Sequence, residues 1–202
     1  MDLRSLIPIG DKVSLIRNTL TGVPAYNFTG PTNFGDYTEN VLGANVRFEY
    51  FTIRGIIKPA VQSEMHLISI TDAYGKSMIG FSVKNNPRRP DQTIFRFNID
   101  NQIAEFPTDS IVDKWTSFEF ISDGDSLRLY VNCQDVGAKS PLTKQRVMTI
   151  RSNFHIYIGA SRAYSSNYYG AIEELTIYKA AQTAGEYCPN NAKSNFAKQT
   201  GR

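Results

Sequence analysis

Hydrophobic and polar residues alternate with a period of two through most of the chain from Val46 onward. In residues 127–132, for example, leucine or valine at every second position alternates with arginine, tyrosine and asparagine. Successive side chains of a strand point to opposite faces of its sheet, so this alternation is typical of half-buried β-strands. The pattern therefore predicts a succession of strands. The opening segment LRSLIPIG is either one short helical turn or coil, and the only candidate helix late in the chain is a short one within residues 180–188.

Turn signals divide the alternating stretches into hairpins and single strands. Glycine, asparagine and aspartate favour tight turns, and they interrupt the pattern near residues 73–75, 100–101 and 123–124. The predicted hairpins are 67–83, 93–106 and 115–132, and the predicted single strands are 47–59, 153–160 and 168–178. Many short strands with regular turn signals favour an all-β fold, either a β-sandwich or a jelly roll.

Two polar segments are predicted to lie outside the core. Residues 85–92, with the sequence NNPRRPDQ, contain two prolines and predict an exposed loop. Residues 189–202 are rich in asparagine and lysine and predict a linker that follows the domain. The whole chain has 202 residues, a length that one large β domain accommodates. The predicted organisation is therefore one domain over residues 1–188 and a C-terminal linker over 189–202.

Composition narrows the class of protein without naming a function. Hydrophobic residues make up 41% of the chain, charged residues make up 20%, and the formal net charge is +3. These values are typical of a soluble globular protein, and the weak basic excess is compatible with an anionic partner. Cys133 and Cys188 are the only cysteines, and His66 and His155 the only histidines. These four residues do not have the spacing of a metal-binding motif. The two cysteines fit either one disulfide or two buried thiols.

The order of the sequence blocks resembles a known family. Over residues 2–188 the blocks follow one another in the order DLRSLIPIG, FEYFTIRGIIKP, LISITDAYGKSMIGFSV, LYVNC, IYIG, GAIEELTIY and a final EYC. This order resembles the thrombospondin N-terminal-like domain of the laminin-G superfamily, and the versions at the N-terminal ends of collagens are the most similar. The resemblance implies an all-β, laminin-G-like (concanavalin-like) jelly-roll sandwich of two antiparallel sheets. It also implies a disulfide between Cys133 and Cys188.

The resemblance further implies a secreted, non-enzymatic module of the extracellular matrix that functions in cell adhesion. Many members of this family bind heparin or heparan sulfate through basic surface residues, and some laminin-G relatives bind calcium at a loop rim. This chain departs from the family in lacking the cysteines for a second disulfide. It also has Gln134 and Asp135 where some members carry lysines. Oligomerisation, if any, is expected to come from segments outside these residues.

A site for a sulfated polysaccharide needs several cations on one face, because charge and bidentate geometry hold the sulfates. Three groups of basic residues are candidates for such a site, and the alternative is that each is an ordinary solvated surface. The first group is Lys139, Lys144, Arg146 and Arg151; the second is Lys84, Arg88 and Arg89; and the third, weaker group is Arg47, Arg54 and Lys58.

No cofactor is predicted, and calcium is the one metal considered. Four aspartates, Asp72, Asp100, Asp123 and Asp125, lie at predicted turns and could supply the oxygen ligands that calcium prefers. Aspartates at turns more commonly bond to the backbone of the turn itself, and we favour that interpretation. Asn27 begins an Asn-Phe-Thr acceptor sequence and is a candidate N-glycosylation site in a secreted glycoprotein.

Catalysis is not expected from the sequence. Glycoside hydrolases need two carboxylates at a fixed separation, but Glu173 and Glu174 are adjacent and would face opposite sides of a strand. The histidines have no nucleophile motif nearby and are interpreted as structural residues.

The alternative function is a lectin-like carbohydrate-binding module. In that module, the stacking surface for neutral sugars would be formed by Tyr164, Tyr168 and Tyr169 with Asn167. We favour the other interpretation, in which these tyrosines cover the edge of a sheet. Trp115 is predicted to anchor the core. No nucleic acid and no membrane insertion are expected.

Overall fold

The computed structural model describes residues 14–29, 35–37, 46–48, 50–61, 63–72, 74–99, 102–139, 148–150, 154–161, 166–178 and 180–182. Within these ranges the secondary structure is entirely β. No helix among them has the length and apolar character needed to span a membrane. The strands are β1 Ser14–Arg17, β2 Pro24–Phe28, β3 Gly35–Tyr37, β4 Val46–Phe48, β5 Tyr50–Pro59, β6 Met65–Thr71, β7 Ser77–Asn86, β8 Arg89–Ile99, β9 Gln102–Asp109, β10 Thr116–Asp123, β11 Leu127–Val131, β12 Gln134–Lys139, β13 Met148–Ile150, β14 His155–Ile158 and β15 Gly170–Tyr178.

The strands form two large antiparallel sheets and one small ribbon. The seven-stranded sheet has the order β1-β2-β15-β5-β10-β11-β12, and the six-stranded sheet has the order β3-β14-β6-β7-β8-β9. The ribbon pairs β4 with β13. The three predicted hairpins are confirmed as β6–β7, β8–β9 and β10–β11. The predicted all-β sandwich of two antiparallel sheets is therefore the fold of this chain.

Phenylalanine rings from both sheets meet in the centre of the main core. Phe97 of β8 stacks on Phe120 of β10, with ring centroids 4.7 Å apart. Phe81 of β7 contacts Phe118 of β10 at 5.2 Å. β8 and β7 belong to the six-stranded sheet and β10 to the seven-stranded sheet, so these contacts join the two layers. Each buried phenylalanine stabilises the fold by about 2–3 kcal/mol through removal of apolar area from water.

Trp115 is buried as predicted, but it lies in a second, smaller cluster. Its partners there are Ala25, Ile56 and Ala171. Ile56 lies on β5 and Ala171 lies on β15. The residue that follows each of them, Ile57 or Ile172, points into the main core. By the alternation of strand residues, the Trp115 cluster is therefore on the other face of the seven-stranded sheet.

The prediction of a loop over residues 85–92 is wrong. β7 continues to Asn86 and β8 begins at Arg89, so only Pro87 and Arg88 form the turn. The polar composition reflects two strands that extend into solvent. Pro90 lies in β8 at a register irregularity, where the ladder passes from the Asn86–Arg89 pair to the Asn85–Thr93 pair. Proline is tolerated at such a position because no ladder hydrogen bond requires its missing N–H.

Cys133 lies in the tight turn between β11 and β12. Val131 pairs with Gln134, so Asn132 and Cys133 form a two-residue turn, and both have positive φ, at 51° and 69°. Left-handed conformations at both central residues are typical of type I′ hairpin turns, in which asparagine is favoured. The cysteine is thus at a strand end, as predicted.

The short helix predicted within 180–188 is absent from residues 180–182, and the rest of that segment lies outside the described residues. Residues 1 and 188, the predicted ends of the domain, also lie outside the described residues, so the predicted domain bounds stay a prediction.

Candidate binding surfaces

The second group of basic residues is located on the β7–β8 hairpin. Arg88 and Arg89 are exposed at its tip, and the turn is braced by side chains. The Arg88 amide donates to Asn86 Oδ1 at 3.0 Å, and Asn86 Nδ2 donates to Gln92 Oε1 at 3.0 Å. Lys84 differs, because its Nζ lies 2.6 Å from Glu105 Oε1. Two of the three candidate cations therefore point to solvent, and the third is neutralised by a carboxylate.

The other two basic groups are only partly described. Lys139 ends β12, whereas Lys144, Arg146 and Arg151 lie outside the described residues, so their convergence stays a prediction. In the third group, Arg54 is engaged by its own sheet. Its guanidinium lies 4.5 Å from the centre of the Tyr178 ring and 3.7 Å from Glu174. Arg54 is therefore a poor candidate for capturing a free anion.

Two of the described turn aspartates, Asp72 and Asp123, bond to their own turns, as favoured above. Asp72 Oδ1 accepts from the Lys76 amide, and Asp123 Oδ1 accepts from the amides of Asp125 and Ser126. For Asp123, slight desolvation would raise the carboxyl pKa, but the bonds from Ser126 and Asp125 outweigh it and lower that pKa. Asp100 lies outside the described residues. Within the described ranges, no group of three or more His, Cys, Asp or Glu is arranged to hold a metal ion.

The stacking surface proposed for the tyrosines is contradicted at its centre. Tyr168 is fully buried, its ring meets Phe28 edge-on at 5.8 Å, and its hydroxyl donates to the Ala171 carbonyl at 3.1 Å. Burial raises the pKa of the Tyr168 hydroxyl well above its usual value. Asn167 is also buried, Tyr169 packs partly against the core, and Tyr164 lies outside the described residues. Asn167 and Tyr168 therefore belong to the interior of the fold and do not form an exposed stacking surface.

Glu173 and Glu174 do not form a catalytic pair of the kind that glycoside hydrolysis needs. A bulge of β15 leaves Glu173 without a partner in β5, and it accepts hydrogen bonds from Asn18 and from the Thr21 hydroxyl. Glu174 instead contacts Arg54 and Thr176. Both carboxylates are thus engaged in fixing neighbouring segments of the sheet.

Two further predicted sites concern covalent modification. Cys133 is not a free thiol, but Cys188 lies outside the described residues, so the predicted pairing stays a prediction. Asn27 is half-buried in β2, an interior strand between β1 and β15. Its use as a glycosylation site also stays a prediction.

Polar residues that we did not expect lie on the outer face of β6, β7 and β8, next to the exposed Ile103 of β9. His66 pairs with Ser82, which pairs with Arg96, and Gly80 pairs with Asn98. Directly paired residues point to the same face, and the alternating neighbours of these residues point into the core. The only sequence signal was the recurrence of small or polar residues at every second position of three consecutive strands.

Charges on this outer face are balanced. Arg96 lies 2.8 Å from Glu64, and both Arg96 and Lys84 contact Glu105. Desolvation lowers the pKa of His66, and the contrary effects of Glu64 and of the Ser166 backbone are weaker. His66 is therefore neutral at neutral pH, and the face presents hydrogen-bonding groups without a net charge.

Comparison with known proteins places this geometry in a family. The sequence model of the concanavalin A-like lectin/glucanase superfamily matches residues 33–186, which is more than half of the chain. Among solved structures, the heptameric SAP-like pentraxin from Limulus polyphemus is similar, with a TM-score of 0.62 and 10% identity. The match covers 80% of this chain and 82% of the pentraxin.

Two carbohydrate complexes are also among the similar structures. One is domain 4 of the extracellular GH43 arabinanase AbnA from Geobacillus stearothermophilus with arabinotriose, with a TM-score of 0.64 and 13% identity, covering 89% of this chain and 81% of that domain. The other is the ligand-binding domain of botulinum neurotoxin serotype D with N-acetylneuraminic acid, with a TM-score of 0.59 and 12% identity. That match covers 96% of this chain but 45% of the toxin domain.

Proposed function

Because the chain belongs to the concanavalin A-like lectin/glucanase superfamily, within the wider laminin-G group, we propose that it is a non-catalytic module that binds glycans outside the cell. The first ligand class that we propose is heparin or heparan sulfate. The similar arabinanase domain and toxin domain, each solved with a carbohydrate, support glycan binding in general. Closer kinship with thrombospondin N-terminal-like and collagen-type domains is the finer part of this proposal.

The observation that carries the polyanion proposal is the arginine pair at the β7–β8 tip. Arg88 and Arg89 are both exposed, and within the described residues neither guanidinium has an ion-pair partner. The Asn86 hydrogen bonds brace the backbone of the hairpin, so little backbone entropy is lost when a ligand binds. Arginine matches sulfate with two parallel hydrogen bonds. Two arginines alone hold a sulfated chain weakly, so Lys139, Lys144, Arg146 and Arg151 are proposed as a second contact.

A secreted location follows from the same proposal. Disulfides persist in oxidising compartments, and Cys133 is not a free thiol. In the extracellular matrix the module would present its hairpin tips on a stiff two-sheet scaffold. Matrix proteins or cell-surface proteins are further partners that this arrangement could serve.

Affinity chromatography on immobilised heparin tests the proposal. We expect the chain to be retained at 0.15 M NaCl and to elute well below 1 M NaCl, because salt screens ionic contacts between exposed groups. An uncharged dextran resin is the control for non-specific retention. Passage through heparin resin without delay at 0.15 M NaCl would refute heparin binding and would leave protein adhesion as the better hypothesis.

A further inference from the structure

Asp123 and Gly124 form the only Asp-Gly pair of the chain, and the sequence contains no Asn-Gly pair. An aspartate followed by glycine is prone to cyclise, because glycine has no β-carbon to obstruct its own amide nitrogen. That nitrogen bonds to Cγ of the aspartate, and the carboxyl oxygen leaves as water, which closes a succinimide ring. Water then breaks the bond between the nitrogen and the main-chain carbonyl carbon. The product is isoaspartate, whose mass is unchanged because one water leaves and one enters.

Hydrogen bonds hold the Asp123 carboxylate away from this reaction. Its Oδ1 accepts from the amide of Ser126 at 2.6 Å and from the amide of Asp125 at 3.0 Å. Its Oδ2 accepts from the Ser126 hydroxyl at 3.0 Å. Bonds to an ionised carboxylate are stronger than bonds between neutral groups. Cyclisation must break bonds at one of these oxygens, since that oxygen departs.

The backbone of Asp123 also opposes ring closure. Asp123 is the last residue of β10, where it pairs with Tyr50 of β5, and its amide donates to the Ser126 carbonyl at 3.2 Å. Closure of the ring requires the Gly124 nitrogen to eclipse the β-carbon of Asp123. An extended strand backbone, with ψ near about +135°, is roughly 100° away from that arrangement. The end of β10 must therefore leave its ladder before the ring can form.

The same turn requires the glycine that makes the pair reactive. Gly124 has a φ of +85°, which favours glycine. A β-carbon built there would lie 3.0 Å from Cε1 and 3.2 Å from Oη of Tyr50, so the tyrosine ring lies directly against this residue. A larger residue would slow cyclisation but would strain the turn. The fold thus keeps a reactive pair and holds it in an unreactive geometry.

Ionisation of the carboxyl group acts in the same direction. The departing oxygen leaves as water only from the protonated group, so the carboxylate is the less reactive form. Slight desolvation would raise the pKa of the Asp123 carboxyl, but the hydrogen bonds from Ser126 and Asp125 outweigh it and lower that pKa. The closed turn therefore disfavours both the protonation and the geometry that cyclisation needs.

We propose that Asp123 is a conditional modification site: the closed β10–β11 turn suppresses its conversion to isoaspartate, and local opening of the turn permits it. The reaction needs no co-reactant besides water. Isoaspartate places the former side chain in the main chain, so the side-chain hydrogen bonds that now brace the turn are lost. A molecule whose turn has opened for long enough would therefore carry a lasting covalent change. This inference does not depend on the proposed binding of heparin.

Incubation of the full chain in water enriched in oxygen-18, at pH 7.4 and 37 °C, tests the site. Hydrolysis of the succinimide takes one oxygen from the solvent. Trypsin digestion in ordinary water should then release a labelled peptide of residues 115–128, since Lys114 and Arg128 flank it. Fragment masses distinguish a label on Asp123 from one on Asp125. We expect labelling to be about tenfold slower or more in the folded chain than in a synthetic 115–128 peptide, because only the open turn reacts.

Ser126→Ala tests whether the hydrogen bonds of the turn provide the protection. This variant loses the bond from the Ser126 hydroxyl but keeps the bonds from both amides. Its labelling should be severalfold faster than that of the unaltered chain and slower than that of the peptide. Ser77→Ala, an exposed serine on β7, is the matched control and should match the unaltered chain. Circular dichroism confirms that both variants are folded during the incubation.

Three outcomes would overturn the proposal. Equal labelling of the folded chain and the peptide would show that the turn gives no protection. Absence of labelling in the peptide would show that the pair is not reactive. Equal labelling of Ser126→Ala and Ser77→Ala would show that the bonds to the carboxylate do not restrain it.

Discussion

Asn132 exchanges two hydrogen bonds with the backbone of Ser117. The Asn132 amide donates to the Ser117 carbonyl at 2.9 Å, and Asn132 Oδ1 accepts from the Ser117 amide at 3.0 Å. Ser117 lies near the start of β10, and Asn132 precedes Cys133 in the β11–β12 turn. These bonds therefore hold the turn that carries the cysteine against the neighbouring strand.

Substitutions of Asn132 should separate its two contributions. Asn132→Gly keeps the left-handed backbone but loses the side-chain hydrogen bond, and should cost about 1 kcal/mol. Asn132→Ala also loses that hydrogen bond, and it keeps a β-carbon in the left-handed region without the polar side chain that lets asparagine tolerate this conformation, which adds about 1–2 kcal/mol. Urea unfolding followed by circular dichroism measures both free energies. Equal losses in the two variants would contradict the conformational contribution.

Reduction of the predicted disulfide should destabilise the fold. Cys133 and Cys188 are 55 residues apart, and a crosslink across such a loop stabilises by about 4 kcal/mol in the chain-entropy model. The unreduced chain should be lighter than the dithiol by two hydrogens in an intact mass measurement. A Cys133→Ser, Cys188→Ser double variant is the control, because reductant should not change its stability. An unreduced mass equal to that of the dithiol would refute the pairing.

Removal of the arginine pair should weaken binding to heparin. Arg88→Ala with Arg89→Ala should elute from heparin resin at a lower salt concentration, because two exposed charges that could meet sulfates are lost. Arg128→Ala is the matched control, since Arg128 is exposed on the other sheet and lies 3.4 Å from Asp135. If both proteins elute alike, the β7–β8 tip is not the heparin contact.

Acid should selectively destabilise the chain through His66. Burial lowers the pKa of His66 below 6.5 in the folded protein, whereas the unfolded chain keeps the ordinary value. Below that pH the unfolded state binds more protons, so the contribution of neutral His66 is complete above pH 6.5 and declines as the pH falls. The free energy of unfolding of His66→Gln should lack this decline. Titration of the carboxylates affects both proteins alike, so it cancels when their pH profiles are compared. Parallel pH profiles would show that His66 titrates normally.

Two glycines that look alike in the sequence should respond differently to alanine. A β-carbon at Gly55 would collide with the Glu174 backbone carbonyl and would lie 3.1 Å from the Phe118 ring. Gly55→Ala should therefore cost about 3 kcal/mol or more, whereas Gly80→Ala should be neutral or slightly stabilising. Thermal unfolding of both variants checks the contrast. A large loss at Gly80 would show that the surroundings of Gly80 are packed more tightly than these distances indicate.

The predicted elements that succeeded share one property: their signal is local. The hairpins β6–β7, β8–β9 and β10–β11 each join consecutive strands across a short turn, and alternation fixes which residues face the core. The loop predicted at 85–92 failed because polarity and proline indicate solvent exposure, and an exposed strand has that property too. The burial of Tyr168 was missed because β15 begins at Gly170, two residues later than predicted, so alternation did not fix which way Tyr168 faces.

The amino-acid sequence by itself determined the three hairpins, the strands β5, β14 and β15 and the two-layer all-β architecture, because period-two burial is encoded in neighbouring residues. It did not indicate β1, β2, β3, β12 or β13. Only the tertiary structure decided which polar groups meet. His66, Gly80 and Asn98 are on three different strands and share a face solely through the register of those strands. Lys84 is likewise neutralised by Glu105, two strands away. Such encounters depend on long-range pairing, which no local pattern specifies.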